Sequence, residues 1–458
     1  MSSQSSNLVY PGVWAPPSSS AAGAALDRIA HGTLCAFVFA LPWGEGNNIG
    51  PFVPWLGLVV FGITLLRTVV LGQARRLCEL HYWMLAFAAW SSASIIWTLD
   101  LDSTAARVGT YSELLLLVWV IWELAANEAR VVRLLQCYVF GTCVTAIGTI
   151  SNAIAGHTFG QLDNMVGPTG DRYMMSGMDP NAAGSLLVPS IPMTFYLLAR
   201  RNGSPATKLL YCLQLVLCVT TIFLSGSRGA ILAAAPTLLM FPLFVVRLPG
   251  RQRVLAVVAT AGIVVCGAFL VPSKTWQRIF QLGTEVTAGT MTHRTQIWKA
   301  SVDVFRDHPF VGVGASAHPA AVVKILDRSL VAHNTFLSVL VELGVVGELL
   351  FLGLLGAAFY CALQMPRLER ALWILALGVW CIDAGSVTSE HEKFTWFLLS
   401  LPAAHAYARR NTNRVAFLLT IPRQMKRSLN TVPDRLTRLG VVNSRGLRGV
   451  AAQNIKAQ

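Results

Sequence analysis

Charge is what this sequence has least of. Only 13% of its 458 residues are Asp, Glu, Lys or Arg, against roughly 25% in a soluble domain. That shortage excludes an ordinary water-facing globular fold. Acidic residues are scarcer still, 22 against 36 Lys and Arg, for a net charge of +14. Such an excess often marks nucleic-acid binding. Here the basic residues fall in short clusters between apolar runs, which is the pattern of loops flanking a membrane, and no nucleic-acid partner is expected. Metal and disulfide signals are missing too. The nine cysteines contain no C-x-x-C and no metal-type spacing. Eight lie in or beside apolar runs, with Cys78 alone in a basic loop, and they read as small buried hydrophobes. A cleavable leader is not evident either. The first 25 residues are polar and rich in Ser, Ala and Pro, so the first apolar run is expected to act as an uncleaved signal.

What the sequence has instead is long apolar runs. Hydrophobic residues make up 54% of it, and about 20 consecutive apolar residues cross a bilayer as a helix. Twelve helices are predicted, near 26–43, 50–71, 81–98, 106–126, 132–156, 181–200, 206–225, 228–247, 252–271, 334–363, 368–388 and 393–409. The expected fold class is an all-α integral membrane protein with about twelve transmembrane helices. Two connections are long, 157–180 and the 62-residue stretch 272–333. The chain then divides into an N-terminal tail, 1–25; nine helices, 26–271; one long outer loop, 272–333; three helices, 334–409; and a basic tail, 410–458.

Orientation follows from the basic residues. With the N-terminus in the cytoplasm, 25 of the 36 Lys and Arg fall on the cytoplasmic side, and seven of the other eleven lie in the long loop. Every short cytoplasmic connection is basic, while the first outer loop, around Glu45, has none. The positive-inside rule is met at each turn, with both termini cytoplasmic. The basic tail reads as a solvated or lipid-surface segment.

Chemistry-bearing residues come from distant parts of the chain. Ser225-Gly226-Ser227-Arg228-Gly229 joins two predicted helices with almost no loop. Ser227 is placed to cap the second, and Arg228 falls in its first turn, where the dipole disfavours a cation. Arg228 either reaches to the headgroups or clamps an anion together with helix N–H groups. Asp179-Pro180-Asn181 is an ordinary helix start, preceded by Arg172. Ala332-His333-Asn334 returns the long loop to the membrane. His333 is there a polar interface residue or, kept neutral by a helix start, a general base.

Thr292 to Phe305 has helical spacing, with Arg294, Ile297, Trp298, Ser301, Val302 and Phe305 on one face, and such a helix suits a membrane surface. The glycines of His308-Pro309-Phe310-Val311-Gly312-Val313-Gly314 suggest a tight turn. His308 and His318 read as loop residues; His157 and His391 lie beside other helix ends. No metal is expected. Asp100-Leu101-Asp102 reads as an acidic helix start rather than a metal-binding D-x-D. Glu342, eight residues past Asn334, is about 12 Å deep along a helix and is expected to pair with an arginine or to be functional; Glu113 is a comparable case. The joint signal is stronger than any single one. The topology puts Arg172, Arg228, Arg294 and His333 on one outer face, where three helix N-termini also point. That set suits a diphosphate leaving group and a hydroxyl that needs a base.

These motifs resemble the superfamily of bacterial O-antigen ligases and O-antigen polymerases. The resemblance rests on Ser227-Arg228-Gly229, Arg294 with Trp298, His308-Pro309 with Gly312 and Gly314, and His333-Asn334 with Leu337, Glu342 and Gly344. Arg172 and Asp179-Pro180-Asn181 also fit, so it spans about 170–350. It implies an inverting, metal-independent glycosyltransferase of the membrane-embedded, GT-C-like type, without a cofactor, in the bacterial inner membrane. The site would face the periplasm. The donor would be O-antigen on undecaprenyl diphosphate, and the acceptor a sugar hydroxyl of lipid A–core. His333 would take the acceptor proton. Arg228, Arg172 and Arg294, with Ser227, Asn181, Trp298 and Glu342 around them, would bind substrate. The single outer loop ending in His-Asn resembles the ligase branch. The alternatives are the polymerase and, in another class, a transporter or flippase of lipid-linked sugars. Transporters tend to show internal repeats and broken helices. No fixed-period repeat is present, which favours an enzyme.

Overall fold

The computed structural model describes residues 21–44, 52–162, 172–200, 203–240, 250–280 and 294–420. Most of the two tails, the outer loop at Glu45, and the expected stretches 163–171, 241–247 and 281–293 lie outside the described residues. The chain divides into Met1–Ala408 and Arg409–Gln458, and the features below belong to the first unit, apart from the end of α17.

Among the described residues all regular structure is helical. The helices are α1 (Ala21–Ala40), α2 (Phe52–Leu71), α3 (Glu79–Ala93), α4 (Leu101–Leu124), α5 (Glu128–Ala155) and α6 (Phe159–Leu162). Then come α7 (Pro180–Leu187), α8 (Ser190–Ala199), α9 (Pro205–Ser225), α10 (Arg228–Leu239), α11 (Gly250–Leu270) and α12 (Ser273–Phe280). The last five are α13 (Arg294–Asp307), α14 (His318–Leu326), α15 (Thr335–Leu363), α16 (Arg367–Ala384) and α17 (Lys393–Thr420). Helix occurs at each of the twelve expected positions. Six stretches among the described residues are long and apolar enough to cross a membrane: α2, α4, α5, α7 with α8, α9 and α15. The chain is a multi-pass membrane protein on that reading. It explains why α2 leaves Phe52 at 68% and Val69 at 70% exposure, a cost in water but not in lipid.

Polar side chains start the helices where the sequence suggests. Asp100, Asn127, Asp179, Ser204, Ser227 and Asn334 each accept a hydrogen bond from a backbone N–H of the following first turn. Asp100-Leu101-Asp102 is accordingly a cap. Four elements depart from the expected bounds, one of them α17, which runs to Thr420, eleven residues past the expected end at 409. Residues 181–200 are interrupted at Val188–Pro189, where Pro189 and Pro192 lack the N–H that a helix ladder needs. Residues 81–98 end in a short 3-10 turn at Ser94–Ile96. The largest departure is in α15, which breaks at Gly344 (φ 67°, ψ −171°). Only glycine adopts that geometry without strain.

The core is built from aromatic rings at the crossing of α3, α4, α15, α16 and α17. Phe87 lies 5.3 Å from Tyr111 and 5.4 Å from Phe351, ring centre to centre, and Phe351 lies 6.3 Å from Trp380. At the far end of α4 a buried ion network ties four helices. Arg67 of α2 donates to Asp27 of α1 (3.0 Å) and to Glu123 of α4 (3.5 Å), and Arg130 of α5 also pairs with Asp27. Arg75 is held between the rings of Trp122 and Tyr407, at 4.2 and 4.4 Å.

Candidate active site

At the opposite end of α4 the structure has a cavity of about 300 Å³. It lies between the first turns of α4, α7 and α15, the start of α14, and the connection from α16 to α17. Of the expected site residues, Asn181, His333 and Glu342 line it. Arg228, Arg294, Arg172, Ser227 and Trp298 stand behind or beside these.

His333 has the left-handed backbone φ of 48°, a conformation that costs a non-glycine residue energy unless its surroundings enforce it. Two neighbours do so. Trp298 donates its indole N–H to the Ala332 carbonyl at 3.0 Å, and Asn334 caps α15 by accepting from the Leu337 N–H at 3.1 Å. Trp298, expected to bind substrate, thus holds the backbone next to His333. Burial, then the Arg294 charge, pushes the His333 imidazole below its ordinary pKa, and Asp179 only partly opposes this. To the helix start expected to keep His333 neutral, the structure adds burial and the charge of Arg294.

Arg294 is itself pushed down by burial and then by the like charge of Arg228, with Asp383 and Asp179 acting in the other sense. Arg228, Arg294 and His333, from 228, 294 and 333 in the chain, thus lie within electrostatic reach of one another. Arg172 is arranged differently. It donates through Nε to the Ser225 carbonyl at 2.8 Å and through Nη2 to Asn181 Oδ1 at 2.9 Å. It braces the turn before Arg228 and holds Asn181 at the cavity wall. Helix α13 buries Ile297, Ala300, Ser301 and Val304. Val302, expected on that face, is 39% exposed, because the buried stripe is shifted by about one residue in each turn.

The His308–Gly314 segment is not a simple turn. It is a strap that replaces the missing turn of α15. Val345 and Val346 N–H donate to the Pro309 and Phe310 carbonyls at 2.9 and 3.4 Å. The Val341 and Glu342 carbonyls accept from Val313 and Gly314 N–H at 3.1 and 2.8 Å. The Leu343 carbonyl accepts from the indole of Trp90 at 3.0 Å. Each of these backbone groups, freed by the break, is thereby satisfied. At Gly312 (φ 70°) a side chain would collide with the Glu342 carbonyl, which explains this glycine. The strap also delivers Ser316, whose N–H donates to the Glu342 carboxylate at 2.6 Å.

Several residues on the cavity were not singled out from the sequence. Arg107 donates to Glu390 at 3.3 Å and to the Ser316 hydroxyl at 3.2 Å. His391 places Nδ1 3.1 Å from Glu390 and Nε2 3.3 Å from Glu392. Burial disfavours the imidazolium, but the Glu390 charge and hydrogen bond outweigh it and raise the His391 pKa. His318 is buried, not a loop residue in solvent. Its Nδ1–H donates to the Leu330 carbonyl at 3.1 Å and its Nε2 lies 2.8 Å from the Ser301 hydroxyl. Burial pushes it down to about 4. The available signal was the polar run Ser389-Glu390-His391-Glu392-Lys393 between two apolar helices, and a lone arginine one turn into α4. Glu342, expected to pair with an arginine, lies within electrostatic reach of Arg107, but the groups that hydrogen-bond its carboxylate are the Ser316 N–H and the Ser338 hydroxyl. Glu113 instead sits at the surface, 3.7 Å from Lys393.

The O-antigen ligase family model matches residues 213–352. The match runs from within α9 to just past the break in α15, and so includes Ser227, Arg228, Arg294, Trp298, His333 and Glu342. It supports placing the chain in the O-antigen ligase and polymerase superfamily, whose members are glycosyltransferase-like enzymes of lipopolysaccharide assembly. No curated protein matches the chain.

Proposed function

We propose that the protein is the ligase of this superfamily. It transfers a glycan from undecaprenyl diphosphate to a sugar hydroxyl of lipid A–core, at the periplasmic face of the bacterial inner membrane, with both termini in the cytoplasm and all twelve helical stretches spanning. The observation that carries this reading is the position of His333 on the cavity beside Arg294 and Arg228. In the reaction the acceptor oxygen attacks the anomeric carbon as the C–O bond to the diphosphate breaks. The hydroxyl proton passes to His333, and the bonding pair leaves with undecaprenyl diphosphate. Direct attack inverts the anomeric centre. Arg228 and Arg294, with Arg172 fixing the turn beside them, stabilise the charge that grows on the leaving group. A neutral imidazole is what the proton transfer requires, and burial beside Arg294 favours it.

The break in α15 is also a feature of transporters. Here the Val341, Glu342 and Leu343 carbonyls and the Val345 and Val346 N–H groups are taken by the strap and by Trp90 and are not offered to a substrate. The test is the envelope polysaccharide of a deletion strain, separated on a gel. The ligase reading expects bare lipid A–core, with long polymer retained on undecaprenyl diphosphate. Core capped by a single repeat would indicate the polymerase, and lipid-linked glycan retained on the cytoplasmic side would indicate a flippase.

A further inference from the structure

The cavity has two chemically different sides, and the proposed mechanism uses one of them. On the His333 side, Arg294 lies within electrostatic reach of Arg228, with Asp383 and Asp179 acting on it in the opposite sense. On the other side, Arg107 and His391 are matched by Glu342, Glu390 and Glu392. Whereas the His333 side has two aspartates against two arginines, this side has three carboxylates against two cations. It is also rich in hydroxyls: Ser316, Ser338, Thr388 and Ser389 all line it.

This second side is rigidly built. Glu390, 1% exposed, fixes Arg107 and His391 from behind. The Glu342 carboxylate is held by the Ser316 N–H at 2.6 Å and the Ser338 hydroxyl at 3.3 Å. Both ring nitrogens of His391 face carboxylates, which favour its protonated form and answer its charge. The Thr388 hydroxyl is buried at the wall and has no hydrogen-bond partner among the described residues, although buried hydroxyls are usually paired.

We infer that the wall formed by Arg107, Ser316, Glu342, Thr388 and His391, with Glu392 at its rim, is the acceptor subsite, and that it takes an uncharged, hydroxyl-rich sugar ring. Carboxylates accept from sugar hydroxyls, and serine and threonine hydroxyls donate or accept as the ring requires. A phosphate or carboxylate on that ring would face Glu342 and Glu392 and be disfavoured. An anionic donor is drawn to the opposite side. The two substrates therefore meet with the acceptor hydroxyl toward His333. The inference rests on the ligase reading for the identity of the acceptor, while the charge asymmetry is independent of it.

The experiment is equilibrium binding to the full-length protein in detergent or nanodiscs, with two probes. One is lipid A–core from cells lacking O-antigen; the other is undecaprenyl diphosphate. Thr388→Val removes one hydroxyl at nearly constant shape, and Glu392→Gln removes one rim charge. Each is expected to weaken lipid A–core binding about 3- to 10-fold, the range for one lost hydrogen bond, and to leave undecaprenyl diphosphate binding unchanged. Arg228→Lys is expected to do the reverse. Lipid A–core oxidised at its outermost primary hydroxyl to the uronic acid should bind more weakly than its parent. Unchanged lipid A–core binding in both wall variants would overturn the subsite, as would a loss confined to undecaprenyl diphosphate or equal binding of the oxidised probe. A wild-type protein that binds both probes with the expected pattern but transfers nothing would sink the ligase reading and leave the subsite standing.

Discussion

The two ends of α4 handle buried arginine in opposite ways. At its last turn Arg67, 1% exposed, meets Asp27 and Glu123, and Arg75 is sandwiched between Trp122 and Tyr407. Every charge there is answered by a carboxylate or a ring. At the other end, behind the cavity that Arg107 lines, the charge of Arg228 acts against that of Arg294, Asp383 and Asp179 act in its favour, and His333 is kept from charging. The first end is a structural clamp. At the second, the like charges of Arg228 and Arg294 act against each other despite Asp383 and Asp179, and groups perturbed in this way mark candidate functional sites.

That contrast is sharpest in what each end should lose. Glu123, fully buried, accepts from the Arg75 backbone N–H at 2.7 Å as well as from Arg67. Removing one partner of a buried ion pair typically costs about 3–5 kcal/mol. Glu123→Leu is therefore expected to lower the midpoint of thermal unfolding strongly, while the protein that remains folded transfers glycan at the normal rate. A stable variant with a specific catalytic defect would break the division between the two ends.

Arg228→Lys is expected to show the reverse pattern, with normal stability and transfer reduced about 10²–10³-fold, as for the loss of one transition-state donor. Lysine keeps the charge and loses the planar fork. Near-normal transfer would reduce Arg228 to a charge at the headgroup level.

His318 gives a pH test. Its pKa is about 4 in the folded protein against 6.5 for an ordinary histidine. A depressed pKa means that the unfolded chain binds the proton first as the pH falls. The stability that neutral His318 contributes is thus complete above pH 6.5 and is lost between 6.5 and about 4, up to roughly 3 kcal/mol in all. Thermal unfolding followed across that window should show the loss, and His318→Gln should flatten it. An unchanged slope would mean that other groups dominate.

The smallest effect is expected at Trp298. Trp298→Phe keeps the ring and removes the hydrogen bond to the Ala332 carbonyl, worth about 0.5–1.5 kcal/mol. As a positioning residue it should lower kcat several-fold and leave donor binding unchanged. Its pH–rate profile should keep the wild-type limb, because the pKa of His333 is set by burial and Arg294. Altered donor binding would place Trp298 on the substrate instead.

Much of this was legible in the sequence because it depends on local signals. Apolar runs, caps at Asp179, Ser227 and Asn334, and basic loops placed helices near all twelve expected positions, and motifs converging on one face pointed to Arg228, Arg294 and His333. The break at Gly344 was not legible. A helix-period pattern runs straight through it, and its cause is a strap that pairs with the helix from thirty residues earlier. Arg107 and the Glu390–His391 pair escaped for a related reason. Each looks like a polar group at a helix end, and only packing joins α4 to the α16–α17 connection. Phosphate-type chemistry was visible as clustered arginine; a sugar-type surface, made of ordinary serine, threonine and glutamate, has no comparable motif.

The most direct test of the account is His333→Ala, with protein level, undecaprenyl diphosphate binding and transfer to lipid A–core measured on the same preparation. A positioned base contributes about 10²–10⁴-fold. The expected result is a well-folded protein that binds the donor normally and transfers at least about a hundredfold more slowly. In the wild type the acid limb of kcat/KM should lie below pH 6.5, the ordinary histidine value, because burial and Arg294 lower the pKa of His333. Full transfer by well-expressed His333→Ala protein, or an acid limb above pH 6.5, would contradict the assignment of His333 as the base.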